Sequence, residues 1–228
     1  MKESLRTEAA RLGIPLTEAQ LEQFCAFGAA LIEKNQVMNL TAITEPEAVA
    51  KLHFADCLAL LNCTDCKGKK LIDVGCGAGF PGVPLKLGEP SLRVTLLDSL
   101  QKRVNWLSET LEAMGVEAAC VSARAEEYGH REEYDIATSR AVARLNILAE
   151  LCLPFVKVGG LFLAMKGAAA LEELEEAKKA ISLLGGKTEK VYTYTIDGVE
   201  RSVLLIRKIK PTPPRFPRRY AKIKQQPL

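Results

Sequence analysis

No apolar run in this sequence reaches the length of a membrane span, and the first residues, "MKESLRTEAARLG", lack the apolar core of an export signal. A cytoplasmic protein with no membrane contact is expected. Histidine is scarce: His53 and His130 stand alone among 228 residues, and no motif sets either beside a recognisable site. Internal repeats are absent. With hydrophobic residues at 48% and charged residues at 26%, the composition is that of a globular chain with a sizeable core, not of a disordered one. The seven cysteines are odd in number and come without an export signal, which argues for reduced thiols rather than a disulfide framework. One spacing among them bears on metal, since Cys63-x-x-Cys66 with His53 and Cys57 upstream carries four zinc-type ligands. Two of these would have to project from a helix end and two from the next turn, so buried thiols and no metal are the expectation.

Acid is missing from the last 22 residues, "RKIKPTPPRFPRRYAKIKQQPL", which hold eight Lys or Arg. The net charge of +3 therefore conceals a remainder about five units negative. Phe216 and Tyr220 interleave with Arg215, Arg218 and Arg219, a composition suited to phosphate contacts and base stacking.

Along the chain, residues 1–62 read as a helical extension, 63–210 as the main α/β unit and 211–228 as a basic tail, all within one structural domain. Thr17-x-x-Gln20 fits a capping box, after which Leu21, Phe24, Cys25, Gly28, Leu31 and Ile32 recur at helical spacing. A second helix is expected after Pro46, with Val49, Leu52, Leu58 and Leu61 on its apolar face. From Lys70 the pattern changes to short β-rich runs alternating with helices: strands over Lys70 to Val74, Arg93 to Leu97, Ala118 to Val121, Asp135 to Ser139 and Leu161 to Met165. Between the second and third strands, Leu100, Val104, Leu107, Leu111 and Met114 form a helical stripe, with Ser99 as N-cap and Gly115 as stop. Asp197-Gly198 between two β-rich runs predicts an antiparallel hairpin at the end of an otherwise parallel sheet.

The first strand runs into "DVGCGAGFPG", four glycines within eight residues. Bare backbone at a strand end lets a ligand approach without a Cβ in the way, the device by which doubly wound sheets bind nucleotides. Gly77-x-Gly79-x-x-Gly82 has the dinucleotide spacing, yet the strand ends two residues earlier, at Gly75. Read from the strand, Asp73-x-Gly75-x-Gly77-x-Gly79 resembles motif I of class I methyltransferases that use S-adenosylmethionine (AdoMet), whose ammonium and sulfonium suit a preceding acid. Asp98, ending the second strand, stands where an acid accepts from both ribose hydroxyls, which fits NAD equally. The terminal hairpin discriminates, since it resembles the methyltransferase fold and not the NAD-binding one. The fold expected is α/β: a Rossmann-like seven-stranded sheet with helices on both faces, an antiparallel terminal hairpin and an N-terminal helical extension.

"NLTAI", "HFADCL", "DVGCGAGFPGVPL", "LLDSLQKRVNWL", "SARAEE", "YDIATSRAVA" and "MKG", in this order and covering the chain from about Asn39 to Lys166, resemble the small-subunit ribosomal RNA methyltransferase G family, also known as glucose-inhibited division protein B. The resemblance implies AdoMet-dependent methylation of N7 of one guanosine in the 530 loop of 16S rRNA. The implied partner is that rRNA, in the small subunit or an assembly intermediate, with the protein a monomer. Carried over by motif, the cofactor contacts are Asp73, Gly75, Gly77, Gly79, Phe80, Asp98, Ala125, Glu126 and Arg140; Arg140 also positions the reactants. Lys166, Arg215, Arg218, Arg219, Tyr220 and Lys222 are the expected RNA contacts. Cys57 and Cys76 stand where the family commonly has serine.

Guanine N7 carries no proton, so no general base is needed, and a sequence with two unplaced histidines agrees with that chemistry. A bidentate Arg140 contact to O6 and N7 would occupy the reacting lone pair, so Arg140 is expected on O6 alone, a phosphate or the AdoMet carboxylate. The rival readings are a methyltransferase of the same fold with a protein or small-molecule substrate, a non-catalytic RNA-binding protein that retains the loop, and an NAD enzyme.

Overall fold

β1 (Lys70–Val74) is a short strand buried on both faces beyond Lys70, and the rest of the sheet is laid out from it. The computed structural model describes residues 1–228. β2 (Arg93–Asp98) and β3 (Ala119–Ser122) lie to one side of β1. β4 (Tyr134–Arg140), β5 (Val156–Lys166), β7 (Val199–Lys208) and β6 (Gly186–Ile196) lie to the other, giving the order β3-β2-β1-β4-β5-β7-β6. The first five strands are parallel. β7 pairs antiparallel with both β5 and β6, the predicted hairpin turning at Asp197 and Gly198 with φ of 50° and 76°. Because successive crossovers run in opposite directions from β1, a crevice opens at the carboxyl ends of β1 and β4.

Alternate strand residues feed the two faces of the sheet. Leu71, Leu96 and Leu163 join a 37-residue cluster with α1 (Lys2–Arg11), α2 (Glu18–Met38), α5 (Gly82–Gly88) and α6 (Gln101–Ala113). Ile72, Leu97 and Phe162 join a 25-residue cluster with α7 (Leu145–Cys152), α8 (Ala170–Leu183) and the tail helix α9 (Tyr220–Gln225). The helices of the first 62 residues are thus part of one face's core: Phe27 stacks on Trp106 at 6.0 Å, and Phe24 and Phe27 both meet Phe54.

The capping box at Thr17 and Gln20 is formed in both directions. Two expectations are corrected. The stretch after Pro46 is not one regular helix but α3 (Pro46–Val49), a π turn over Ala50–Ala55, α4 (Asp56–Leu58) and a 3₁₀ turn over Ala59–Asn62. Every residue from His53 to Leu60 is buried, so the segment is packed on all sides and has no single apolar face. Ser99 is not the cap of α6: Leu100 holds that position without a side-chain bond, because Asp98 Oδ1 accepts from Leu100 N and turns the chain first. Gly115 does end α6, with φ of 65°.

The tail is docked. Phe216 and Ile223 are buried, and Arg131 donates to the carbonyls of Phe216 and Thr212. Lys208, fully buried, donates to the Leu153 and Val156 carbonyls and to Thr212 Oγ1.

Candidate active site

The loop after β1 keeps its shape through three glycines at positive φ: Gly75 at 74°, Gly77 at 56° and Gly79 at 95°. Gly75 matters most, because a Cβ there would lie 2.6 Å from a Val142 methyl. Gly75 N and Cys76 N both donate to Leu97 O, tying the loop to β2. Gly77 N donates to Asp98 Oδ2 at 2.9 Å, so the acid at the end of β2 shapes the loop from the other side. Asp98 is 7% exposed and faces the crevice with lone pairs still available beyond its two backbone donors.

Two hollows meet over this loop. The larger, about 420 Å³, is lined by Thr41, His53, Gly75, Phe80, Asp98 and Arg140. The smaller, about 180 Å³, is lined by Gly75, Asp98, Ala125, Glu126, Leu151 and Tyr220. Gly75, Asp98, Ser99 and Val142 belong to both, so the crevice has two lobes that adjoin along these residues. A wider groove of about 820 Å³ beside Gln20, Pro90 and Met114 is an open surface trough, away from this loop and without its convergent polar groups.

The sequence-derived cofactor set largely converges here. Ala125 and Glu126 line the small lobe, Gly77, Phe80 and Arg140 the large one, and Gly75 and Asp98 lie between. Gly79 sits beneath the loop, where an added Cβ would meet Val83 and Leu107. Asp73 does not face the crevice. Its position in β1 directs it under the loop, fully buried, where Oδ2 accepts from Gly82 N at 2.8 Å and Oδ1 has no partner. Burial pushes its carboxyl up to about 7. The expectation that Asp73 meets a cationic ligand directly is thereby corrected: it anchors the return of the loop.

His53 is the residue that motif reading missed. The π turn carries its ring to the wall of the large lobe, stacked on Phe80 at 4.6 Å, with the Arg140 guanidinium 4.8 Å from the same Phe80 ring. Burial, and then the Arg140 charge, push the imidazole down to about 4, so it is neutral near pH 7. Arg140 ends β4 and ties the π turn to the sheet: its guanidinium reaches Leu52 O at 3.3 Å, Asp56 Oδ2 at 3.3 Å and His53 Nδ1 at 3.0 Å. Asp56, 7% exposed, also accepts from Tyr194 Oη at 2.7 Å. The sequence signal for His53 was "HFADCL", present as a block without a stated role.

The expected RNA contacts divide. Arg215, Arg219 and Lys222 are exposed, as is Lys224. Arg218 is held by Glu150, which is fully buried, through bonds of 2.6 and 2.8 Å, and Lys166 is paired with Glu173 and donates to Ala143 O. Both are therefore structural cations in this fold, because each neutralises a carboxylate shielded from water. Tyr220 lines the small lobe and lies 5.9 Å from the Arg124 guanidinium. No group of three or more potential metal ligands assembles, and burial raises the Cys63 and Cys66 thiols to about 12.

A seven-stranded sheet whose last strand is inserted antiparallel, a glycine loop after the first strand and an acid ending the second define a class I methyltransferase fold. Solved structures agree at the level of fold: TrmN from Thermus thermophilus superposes with TM-score 0.54 at 20% identity, covering 67% of this chain and 48% of that one. TYW2 from P. horikoshii, solved in complex with MeSAdo, gives 0.53 at 18%, covering 63% and 58%.

Within that class the chain belongs to the family described as rRNA small subunit methyltransferase G, whose model matches residues 20–203. The relative named ribosomal RNA small subunit methyltransferase G in Acetivibrio thermocellus is 45% identical over 227 residues, 96% of this chain and 93% of its own. That of Bacillus cytotoxicus is 48% identical over 215 residues, 91% and 90% of the two chains.

Proposed function

We propose that this protein methylates N7 of a single guanosine in the 530 loop of 16S rRNA, with AdoMet as donor and the RNA presented in the small subunit or an assembly intermediate. The observation that carries the reading is that the one imidazole of the large lobe is already committed. His53 Nδ1 accepts from Arg140, and the two Asp98 oxygens each accept a backbone N–H. Such a site suits an acceptor atom that arrives without a proton, and guanine N7 is one.

The two-lobed crevice fits an elongated nucleoside. Ala125, Leu151 and Tyr220 make a largely apolar slot for a base, Asp98 stands at the junction for a ribose diol, and the glycine loop admits close backbone approach where a Cβ would collide. AdoMet supplies an electrophilic methyl on sulfonium. Everything else is the work of the chain: Gly75 and Gly77 make room, Asp98 orients the ribose, and Arg140 with Phe80 and His53 forms the wall against which the acceptor base is held. Rate enhancement would then come from how these residues orient the acceptor N7 toward the methyl donor, an effect of proximity and orientation. Exposed Arg215, Arg219 and Lys222 would hold the phosphate backbone, and the target base would leave its stack to enter the crevice.

The test is transfer of labelled methyl from AdoMet to small subunits from cells lacking the activity, with nucleoside analysis of the 16S rRNA. The expected product is 7-methylguanosine at one position. Label in another nucleoside, or none in RNA while AdoMet still binds, would move the substrate elsewhere and leave the fold assignment standing.

A further inference from the structure

The hydrogen-bond wiring around the large lobe leaves one side chain able to donate and unable to accept. His53 Nδ1 lies 3.0 Å from Arg140 Nη2 and 3.2 Å from Leu52 O; Arg140 has only N–H donors and also donates to that carbonyl, so the arrangement that sets no two donors face to face makes Nδ1 the acceptor. The neutral imidazole then carries its proton on Nε2, which lies 2.8 Å from Thr41 Oγ1 and donates to it. Ile43 N donates to the same oxygen at 3.0 Å. Both acceptor directions of the Thr41 hydroxyl are filled, and its own hydrogen is the part left to use. Thr41 is half-buried and lines the large lobe together with Gly75, Phe80 and Arg140. Its backbone is pinned as well, because Asn35 Oδ1 accepts from Leu40 N at 2.6 Å and Thr41 N at 2.8 Å after Asn39 turns the chain at φ of 50°.

We infer that Thr41 is a base-reading residue: its hydroxyl donates to O6 of the incoming guanine, and the His53 and Arg140 side chains act as positioning residues that lock it as a donor. This rests on the guanine-N7 reading above and deepens it. Guanine shows two acceptors, N7 and O6, on the edge that must face the methyl group, whereas adenine shows an amino donor in place of O6. An ordinary threonine would serve both by turning its hydrogen away. Here the oxygen has no acceptor direction left, so an adenine amino group would face the Thr41 hydrogen with no partner, a penalty that polar sites use for strong discrimination. A contact to O6 also leaves the N7 lone pair free to attack. Arg140, for which the sequence left O6, a phosphate and the AdoMet carboxylate open, has much of its fork turned toward Leu52, Asp56 and His53.

The experiment compares Thr41→Val, which keeps the shape and deletes the hydroxyl, with Thr41→Ser, which restores it. The readings are kcat/KM on target-competent small subunits, the same quantity on subunits carrying adenosine at the methylated position, and AdoMet affinity by calorimetry. Thr41→Val is expected to lose about tenfold or more in kcat/KM for the guanosine subunits and to narrow the guanosine-over-adenosine ratio, with AdoMet affinity held; Thr41→Ser should regain most of both losses. Should Thr41→Val lower the unfolding midpoint, His53→Phe carries the test. It keeps a ring against Phe80 and frees one acceptor direction on Thr41, so the ratio should fall. An unchanged ratio in these variants, or a loss matched by weaker AdoMet binding, would overturn the role of Thr41 alone. Absence of 7-methylguanosine with the unaltered protein would instead remove the function on which the role depends.

Discussion

Asp73 and His53 lie on either side of the glycine loop, and burial shifts them in opposite directions. Asp73 is raised from 3.8 to about 7 and His53 lowered from 6.5 to about 4. The signs of their pH contributions therefore differ. Between about 4 and 6.5 the unfolded chain binds a proton at His53 that the folded chain does not, so this group makes stability rise with pH. Between 3.8 and about 7 the folded chain holds a proton at Asp73 that the unfolded chain has lost, so this group makes stability fall with pH. Asp73→Asn should remove the second contribution, leaving a stability that climbs more steeply with pH across the window; His53→Phe should do the reverse. Urea midpoints across that pH range read both, and parallel profiles for the two variants would show that neither group titrates as its burial requires.

At the scale of elements, the π turn is the feature that sets this site apart from a bare glycine loop. It faces the end of β4, and Arg140 spans the gap to Asp56, His53 and the Leu52 carbonyl. Arg140→Ala leaves Asp56 buried with only the Tyr194 hydroxyl, and breaking such a pair costs about 3 kcal/mol. A fall in turnover for that variant would then mix lost folding with lost positioning. Arg140→Lys separates them, since a single ammonium retains charge beside Asp56 but lacks the fork that also reaches His53. The expected outcome is stability near the parent by urea unfolding with kcat reduced about tenfold or more. Full turnover in Arg140→Lys would show that charge alone is required at this place.

For the whole molecule, the C-terminal tail belongs to the core as much as to the surface. Arg218 neutralises Glu150, which is fully buried, and Phe216 and Ile223 are core residues of the same face, so removing residues 211–228 would take both from that core and leave a buried carboxylate unpaired. Arg218→Ala alone is expected to destabilise by about 3–5 kcal/mol. RNA contact is better tested at the exposed cations. Arg219→Ala with Lys222→Ala should leave the unfolding midpoint unchanged and flatten the dependence of RNA affinity on salt by about 0.7 to 0.9 in log–log slope for each lost phosphate contact. An unchanged slope would place the RNA on another face. Tyr220, in the same short helix, borders the small lobe, so the tail that carries these exposed cations is also a wall of the crevice.

Local pattern was enough for much of this. Short β-rich runs alternating with helical stretches, the glycine run after β1, the acid ending β2 and Asp197-Gly198 are each set by residues near one another in the chain, and from them the sheet, its hairpin and the glycine loop could be read. What the chain alone left open depends on partners far apart in sequence. Whether Arg218 is a free cation turns on Glu150, 68 residues away; whether His53 belongs to the site turns on Arg140, 87 residues away. Asp73 looked like a ligand to a cationic group because an acid beside glycines has that meaning at the end of a strand, and it became an anchor because the pleat points its side chain beneath the loop. Charge and hydrogen-bonding capacity are written in the sequence; which of them remain unspent at the surface is decided only when distant segments have paired.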